Sequence, residues 1–352
     1  MRLGIDVGGT KIEGIALAGR ADSGLRPGAV LARRRIATPA GDYPATVRAI
    51  ASLVSAIEAE TTRRGTVGVG IPGAVSPATG LVKNANSTCL IGHSIDRDLE
   101  EALGRPVRID NDANCFALSE AVDGAAAGAS CVFGVIMGTG VGGGIAIDGR
   151  TVPGRMRIAG EWGHNPLASP RAERPWSEIP GPLCYCGRTG CTESWISGPA
   201  LAADHARTTG QALDPPAIAA AARSGDAGAA ATMARHADRL ARALATVVNV
   251  LDPDVIVIGG GLSNLDLVFD GIAERLAPRV FTDRFDTPIL RPLHGDSSGV
   301  RGAAWLWPDE PHSASARAAA RPAARGTDGG RRAGASSPER ETDHAEPDAL
   351  GG

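Results

Sequence analysis

Aliphatic and β-branched residues flank a pair of glycines at the start of the chain, a pattern typical of two short strands joined by a turn. The stretch GIDVGGTK nearly spells a phosphate-binding P-loop, but Thr10 stands between the last glycine and Lys11. The residues after Lys11 show no 3.6-residue period, so a strand and not a helix follows. The pattern predicts either a β-hairpin whose turn points backbone N–H groups at an anion, or an ordinary glycine-rich hairpin.

The same pattern returns 130 residues later. LGIDVGGTKIEGIALAG (3–19) aligns without a gap with FGVIMGTGVGGGIAIDG (133–149), and six of the seventeen positions are identical. The second copy also matches the dinucleotide fingerprint G-x-G-x-x-G, but a strand follows where that fingerprint needs a helix. Chance similarity of glycine-rich strands is the alternative. Otherwise two similar halves face each other across a ligand-binding cleft.

Three further segments have distinct patterns. Residues 226–253 predict a long Ala-rich helix that ends at Asp252-Pro253. Val255–Ile258 predicts a short buried strand, which Gly259, Gly260 and Gly261 turn into another helix. Such a turn suits close approach by a planar ligand such as adenine, although any αβ crossover can carry glycines. From 309 to 352 the chain is poor in large apolar residues, which predicts disorder.

Composition narrows the function classes. The length of 352 residues suits about two domains, and a net charge of −3 argues against a nucleic-acid surface. No signal peptide and no apolar run of about 18 residues is evident, so we expect a cytoplasmic protein without a membrane partner. Six cysteines in that setting are not expected to form a disulfide framework.

The island Asp110-Asn111-Asp112-Ala113-Asn114 follows a strand-like stretch. A carboxylate at a strand end, flanked by amides that bind hydroxyls, suits a general base for an alcohol nucleophile. The alternative is an Asx-rich helix cap with no chemical role.

Three cysteines stand at C-x-C-x₄-C spacing in residues 184–191, within a glycine-containing loop. Cys184, Cys186 and Cys191 predict a structural zinc site whose most plausible fourth ligand is His164 of the GEWGH stretch. Such a site would hold the neighbouring Glu193 still. Free or redox-active thiols are the alternative.

Six motifs occur together along the chain: DVGGTK, NDAN, GTGVGGG, GEWGH, CxCGxxGCxExxxS and VIGGG. Together they resemble the ROK family of bacterial sugar kinases, open reading frames and repressors, over residues 1 to about 308. Within that family the chain looks most like ATP-dependent fructokinases, through GTVGVGIPGAVSP, VKNANST, EAVDGAAAGA, EWGHNPL and HGDSSGVRGAAWLWP.

The resemblance implies a duplicated actin-like ATPase (ribonuclease H-like) α/β fold, with two domains around an interdomain cleft. The expected small domain is 1–118, to which the C-terminal helix at about 296–308 returns. The expected large domain is 119–295, with the zinc loop at 184–193, and the tail is 309–352. ATP and Mg²⁺ are the expected cofactors beside structural Zn²⁺, and a homodimer is expected because homodimers are frequent in the family.

The resemblance also implies roles for single residues. Asp112 is the expected base, and Asp6 is expected near the metal of MgATP. The expected ligands of the sugar hydroxyls are Asn111, Glu161, His164 and Glu193; those of the nucleotide, besides Asp6, are Gly8, Gly9, Thr10, Lys11, Gly138, Thr139, Gly140, Gly259, Gly260 and Gly261.

The expected reaction is phosphorylation of D-fructose to fructose 6-phosphate, with mannose as a secondary substrate. Glucose or an N-acetylhexosamine is the alternative acceptor. A sugar-responsive transcriptional regulator is the alternative of another class. Because the first hairpin begins at residue 3, we expect no helix-turn-helix ahead of it.

Overall fold

Two five-stranded sheets carry the part of the chain that the computed structural model describes, which is residues 1–19, 22, 24–172 and 177–308. The predicted disorder of 309–352 lies outside these residues. The strands are β1 (Arg2–Val7), β2 (Lys11–Leu17), β3 (Val30–Ala37), β4 (Thr66–Ile71), β5 (Ala74–Val75), β6 (Val82–Lys83), β7 (Val107–Asn111), β8 (Cys131–Met137), β9 (Val141–Ile147), β10 (Arg150–Thr151), β11 (Val255–Gly259) and β12 (Ile289–Leu290).

The α-helices of the described residues differ widely in length, from one turn to seven. They are α1 (Tyr43–Thr61), α2 (Ile95–Leu103), α3 (Asp112–Val122), α4 (Glu193–Ile196), α5 (Gly198–Thr209), α6 (Pro215–Arg223), α7 (Ala227–Leu251), α8 (Ile272–Leu276) and α9 (Ser298–Trp305).

The two sheets repeat one topology. Their orders are β3-β2-β1-β4-β7 and β10-β9-β8-β11-β12, and each begins with an antiparallel hairpin, β1–β2 or β8–β9, followed by parallel strands. The internal repeat predicted from the sequence is therefore confirmed as two hairpins in equivalent places. This is the duplicated α/β architecture that the family resemblance implies.

Helices α3 and α9 cross between the two sheets at backbone contact. A Cβ atom added to Gly302 of α9 would lie 1.6 Å from the carbonyl oxygen of Cys115 in α3. Likewise, a Cβ at Gly4 of β1 would lie 2.0 Å from a carbonyl of α9, and one at Gly144 of β9 would lie 2.0 Å from a carbonyl of α3. Glycines thus allow each helix to lie directly on its sheet and on the other helix.

The long Ala-rich helix is confirmed as α7. Asp226 caps its N-terminus by accepting a hydrogen bond from Ala229 N, and Asp252 ends it in the left-handed conformation. The domain boundary expected at residue 118 falls inside α3, which contacts both sheets, and stays a prediction. Among the described helices, none combines the length and apolarity needed to cross a membrane.

We expect Gly302→Ala to lower the free energy of unfolding by about 3 kcal/mol or more, because the added methyl group overlaps a backbone atom that cannot rotate away. Thermal unfolding measures the effect. Gly299→Ala is the matched control in the same helix, since its Cβ would meet its nearest atoms at 3.7 Å. That variant should unfold at the wild-type temperature or above it. Equal stability of the two variants would contradict the crossing.

Candidate active site

A cavity of about 880 Å³ lies where the two hairpins approach each other. It brings together eight of the residues that the sequence predicted for nucleotide and catalysis. They are Asp6, Gly8, Gly9, Lys11, Asp112, Thr139, Gly260 and Gly261. Thr10, Gly138, Gly140 and Gly259 are not among its lining residues.

The first turn of the cavity wall is a hairpin, as predicted, because β1 and β2 pair antiparallel on either side of it. Gly8 N donates to Lys11 O at 3.0 Å, and Thr38 Oγ1 from the end of β3 donates to Gly8 O at 2.7 Å. The second hairpin closes in a related way, with Gly138 N donating to Gly140 O at 2.9 Å. Both turns are therefore held by their own backbone before any ligand binds.

The prediction that a helix directly follows Gly259–Gly261 is wrong. Gly260 has φ +82°, and two 3₁₀ turns follow at Gly261–Asn264 and Asp266–Val268 before α8 begins. Ser263 Oγ donates back to Gly260 O, so this side chain stabilises a tight turn in place of a helix. Gly259 does not line the cavity, and a Cβ there would lie 2.6 Å from the Phe116 ring.

Two acidic side chains, those of Asp6 and Asp112, line this cavity. Burial, followed by the charges of Asp112 and Glu13, raises the pKa of Asp6 to about 7. Burial likewise raises the pKa of Asp112 to about 6, with a smaller increase from Glu161. The cavity therefore concentrates negative charge that a divalent cation can neutralise, and the donor set of carboxylates suits Mg²⁺.

Asn111 has the capping role that the sequence left open as the alternative. Its Oδ1 accepts a hydrogen bond from Ala113 N at 2.9 Å at the start of α3, and its Nδ2 donates to Gly73 O at 3.0 Å. The amide keeps one further N–H and one lone pair for a ligand. It lines a smaller cavity of about 200 Å³ and not the large one.

The other expected sugar ligands do not line the 880 Å³ cavity that contains Asp112. Glu161 and His164 line a second cavity of about 870 Å³. Glu193, the first residue of α4, lines neither large cavity, and its Oε2 accepts a hydrogen bond from Val141 N at 2.8 Å. The structure therefore divides the four expected ligands among different surfaces, and it uses one oxygen of Glu193 to hold the second hairpin.

The cysteine loop folds against the segment that carries His164. Leu167 N donates to Gly190 O at 2.9 Å, and Thr192 N donates to Asn165 O at 2.8 Å. These two bonds bring distant parts of the chain side by side, which places the imidazole of His164 next to the cysteines.

Between these paired segments, Glu178 anchors the intervening chain to α7. Its buried carboxylate accepts hydrogen bonds at 2.8 Å from Arg239 Nε and Arg242 Nη2. Those contacts with Arg242 and Arg239 hold the pKa of Glu178 below its usual range despite burial. The long spacer between His164 and Cys184 is thus fixed at one point by ion pairs.

The four predicted metal ligands are brought together. The ligand atoms of His164, Cys184, Cys186 and Cys191 all lie within 4.8 Å of one another. Cys186 Sγ is 3.6 Å from Cys191 Sγ, and Cys184 Sγ is 3.6 Å from His164 Nδ1. A tetrahedral Zn²⁺ with bonds of about 2.0–2.3 Å separates its ligand atoms by about 3.3–3.8 Å, so the residues fit the ion.

Several cavity residues were not predicted from the sequence. Thr38, Asn86, Ser87 and Thr88 also line the 880 Å³ cavity, and Thr38 contacts the first glycine turn through Gly8 O. Three of them belong to the VKNANST stretch, whose run of small polar side chains was used for the family resemblance alone. That run is the signal that could have identified them.

Comparisons with known proteins agree with this architecture. The model described as the ROK family matches residues 2–310. The N-acetyl-D-glucosamine kinase of Aliivibrio salmonicida (strain LFI1238) is 39% identical over 306 residues, covering 87% of this chain and 99% of that protein. The crystal structure of a ROK hexokinase from Thermus thermophilus is similar at a TM-score of 0.74 and 30% identity, covering 87% of this chain and 97% of that one.

A second solved structure contains ligands. It is a ROK family glucokinase from Streptomyces griseus in complex with glucose and AMPPNP, and it is similar at a TM-score of 0.67 and 28% identity. The match covers 87% of this chain and 98% of that one.

We expect the purified protein to carry about one Zn²⁺ per chain and Cys186→Ser to lose most of it, with a lower unfolding temperature. Cys186 is exposed, so its substitution removes a ligand without opening a core cavity. Metal analysis and thermal unfolding measure both effects. Cys131→Ser, which lies outside the cluster, is the control. Metal-free wild-type protein of full stability would refute the site.

Proposed function

The chain belongs to the ROK family, and from that membership we propose that it transfers the γ-phosphoryl group of ATP to the 6-hydroxyl of N-acetyl-D-glucosamine. The family's sugar kinases have the duplicated actin-like ATPase fold. The relative from Aliivibrio salmonicida, matched over 99% of its length, is named for this sugar. Glucose or an N-acetylhexosamine was the alternative acceptor expected from the sequence, and in this proposal N-acetyl-D-glucosamine replaces fructose.

The position of Asp112 is the observation that carries the proposal. Its carboxyl lines the cavity that contains Asp6 and the phosphate-type turns, while Glu161, which lines the other large cavity, is near enough to raise its pKa. A base between a nucleotide cleft and a set of hydroxyl ligands can take the proton of an attacking hydroxyl. With a pKa of about 6, Asp112 is mostly ionised at pH 7 and can accept that proton.

On the nucleotide side, the turn of residues 8–11 and Thr139 offer backbone N–H groups, a hydroxyl and the ammonium group of Lys11 to phosphate oxygens. Asp6 would hold the Mg²⁺ that accompanies ATP. That ion would neutralise the phosphate charge, which the carboxylates of Asp6 and Asp112 would otherwise repel. Asp6 therefore makes nucleotide binding dependent on the cation.

On the acceptor side, ionised carboxylates accept hydrogen bonds from hydroxyl groups and repel anions. Glu161 therefore favours a neutral sugar over a sugar phosphate. Glu193 Oε1, which lies 3.9 Å from Cys184 Sγ, adds a second carboxylate oxygen to this side. His164 and the remaining N–H of Asn111 add donors. The homodimer and the cytoplasmic location expected from the sequence stay predictions.

In an ADP-release assay with MgATP, we expect kcat/KM to be at least tenfold higher for N-acetyl-D-glucosamine than for N-acetyl-D-mannosamine, glucose, mannose or fructose. If fructose were the fastest acceptor, the proposed substrate would be wrong, but the proposed phosphoryl transfer from ATP to a sugar would still hold. Turnover with none of the five sugars would contradict the reaction itself.

Asp112→Asn is expected to lower kcat at least 100-fold, because loss of a general base typically costs about 10²–10⁴ in rate. Its unfolding temperature at pH 7.5 should equal or exceed that of wild type. Burial raises the pKa of Asp112, so its ionised form opposes folding above pH 6, and the amide removes that charge. Asp283→Asn, on an exposed loop, is the control for both measurements. A kcat equal to that of wild type would show that Asp112 is not the general base.

A further inference from the structure

The imidazole of His164 has a neighbour at each ring nitrogen. Nδ1 faces Cys184 Sγ at 3.6 Å, and Nε2 lies 2.9 Å from the hydroxyl oxygen of Tyr185. The two rings meet edge to face, with centroids 5.1 Å apart and an interplanar angle of 81°. The phenol is therefore bonded to an expected sugar ligand, although Tyr185 has no role in the proposed reaction.

Only one nitrogen of His164 is available to a sugar. Nδ1 points into the cysteine cluster, so a sugar hydroxyl must use Nε2. A ring nitrogen offers one proton or one lone pair. The phenol of Tyr185 and a sugar hydroxyl therefore require the same hydrogen-bonding position.

Tyr185 is placed to give up that position. Its side chain is 73% exposed and projects from the loop between two cysteines, so the phenol can swing into solvent without opening a core cavity. It also lines the same 870 Å³ cavity as Glu161 and His164.

We propose that Tyr185 is a placeholder for the acceptor sugar: its phenol occupies the hydrogen-bonding position of a sugar hydroxyl on His164 Nε2 and leaves when the sugar binds. This inference rests on the proposed function, since it takes His164 as a sugar ligand. The phenol keeps the ring oriented in the free protein. Sugar binding must then break one hydrogen bond, which raises the dissociation constant of the sugar about two- to tenfold.

The first test measures sugar affinity without nucleotide, by isothermal titration of the panel sugar that turns over fastest. Tyr185→Phe keeps the ring and removes the hydroxyl, so its dissociation constant should fall about two- to tenfold below that of wild type. Tyr43→Phe is the matched control, because the chain has two tyrosines and Tyr43 bonds Asp98 outside both large cavities. An unchanged or raised dissociation constant in Tyr185→Phe would overturn the placeholder.

The second test observes the phenol directly. In Tyr43→Phe protein labelled with 3-fluorotyrosine, Tyr185 gives the single ¹⁹F resonance, and saturating sugar should shift it. Binding detected by titration with an unmoved resonance would overturn the placeholder and leave the proposed function intact. A shifted resonance with a lowered dissociation constant in Tyr185→Phe supports it. Failure of every panel sugar to bind would overturn both proposals.

Discussion

The crossing of α3 and α9 is the contact on which the rest of the structure depends. A hydrogen atom at Gly302 is all that the carbonyl of Cys115 permits. The helices carry the chemistry at their ends: α3 begins with Asp112, and Gly299 near the start of α9 lies close to the carboxyl of Asp6. A shift of either helix would therefore change the position of the proposed base, Asp112, relative to the phosphate-type turns.

Charge in the cleft opposes folding and serves the proposed chemistry. Burial raises the pKa of both Asp6 and Asp112, so ionisation at neutral pH costs stability until a cation enters. The cysteine loop is linked to the second hairpin through Glu193. Glu193 follows that loop and accepts a hydrogen bond from Val141 N, which connects the candidate metal centre to the second hairpin.

Local sequence patterns predicted much of the fold and part of the candidate site. The hairpins, the repeat, α7 and the clustered cysteines follow from spacing within short stretches. The rest depends on which distant segments meet. Gly259 lies so close to the Phe116 ring that a side chain there would clash with it. Tyr185 stands among cysteines yet contacts His164, 21 positions earlier. The choice between N-acetyl-D-glucosamine and fructose also depends on side-chain positions that no sequence period encodes.

Phosphorus NMR of the product from MgATP and N-acetyl-D-glucosamine tests the central claim most directly, because it identifies both the transfer and the oxygen that receives the phosphoryl group. The account predicts a new phosphomonoester resonance coupled to the two protons on C6 of the sugar. Release of inorganic phosphate alone, or a phosphomonoester coupled to a single ring proton, would contradict it.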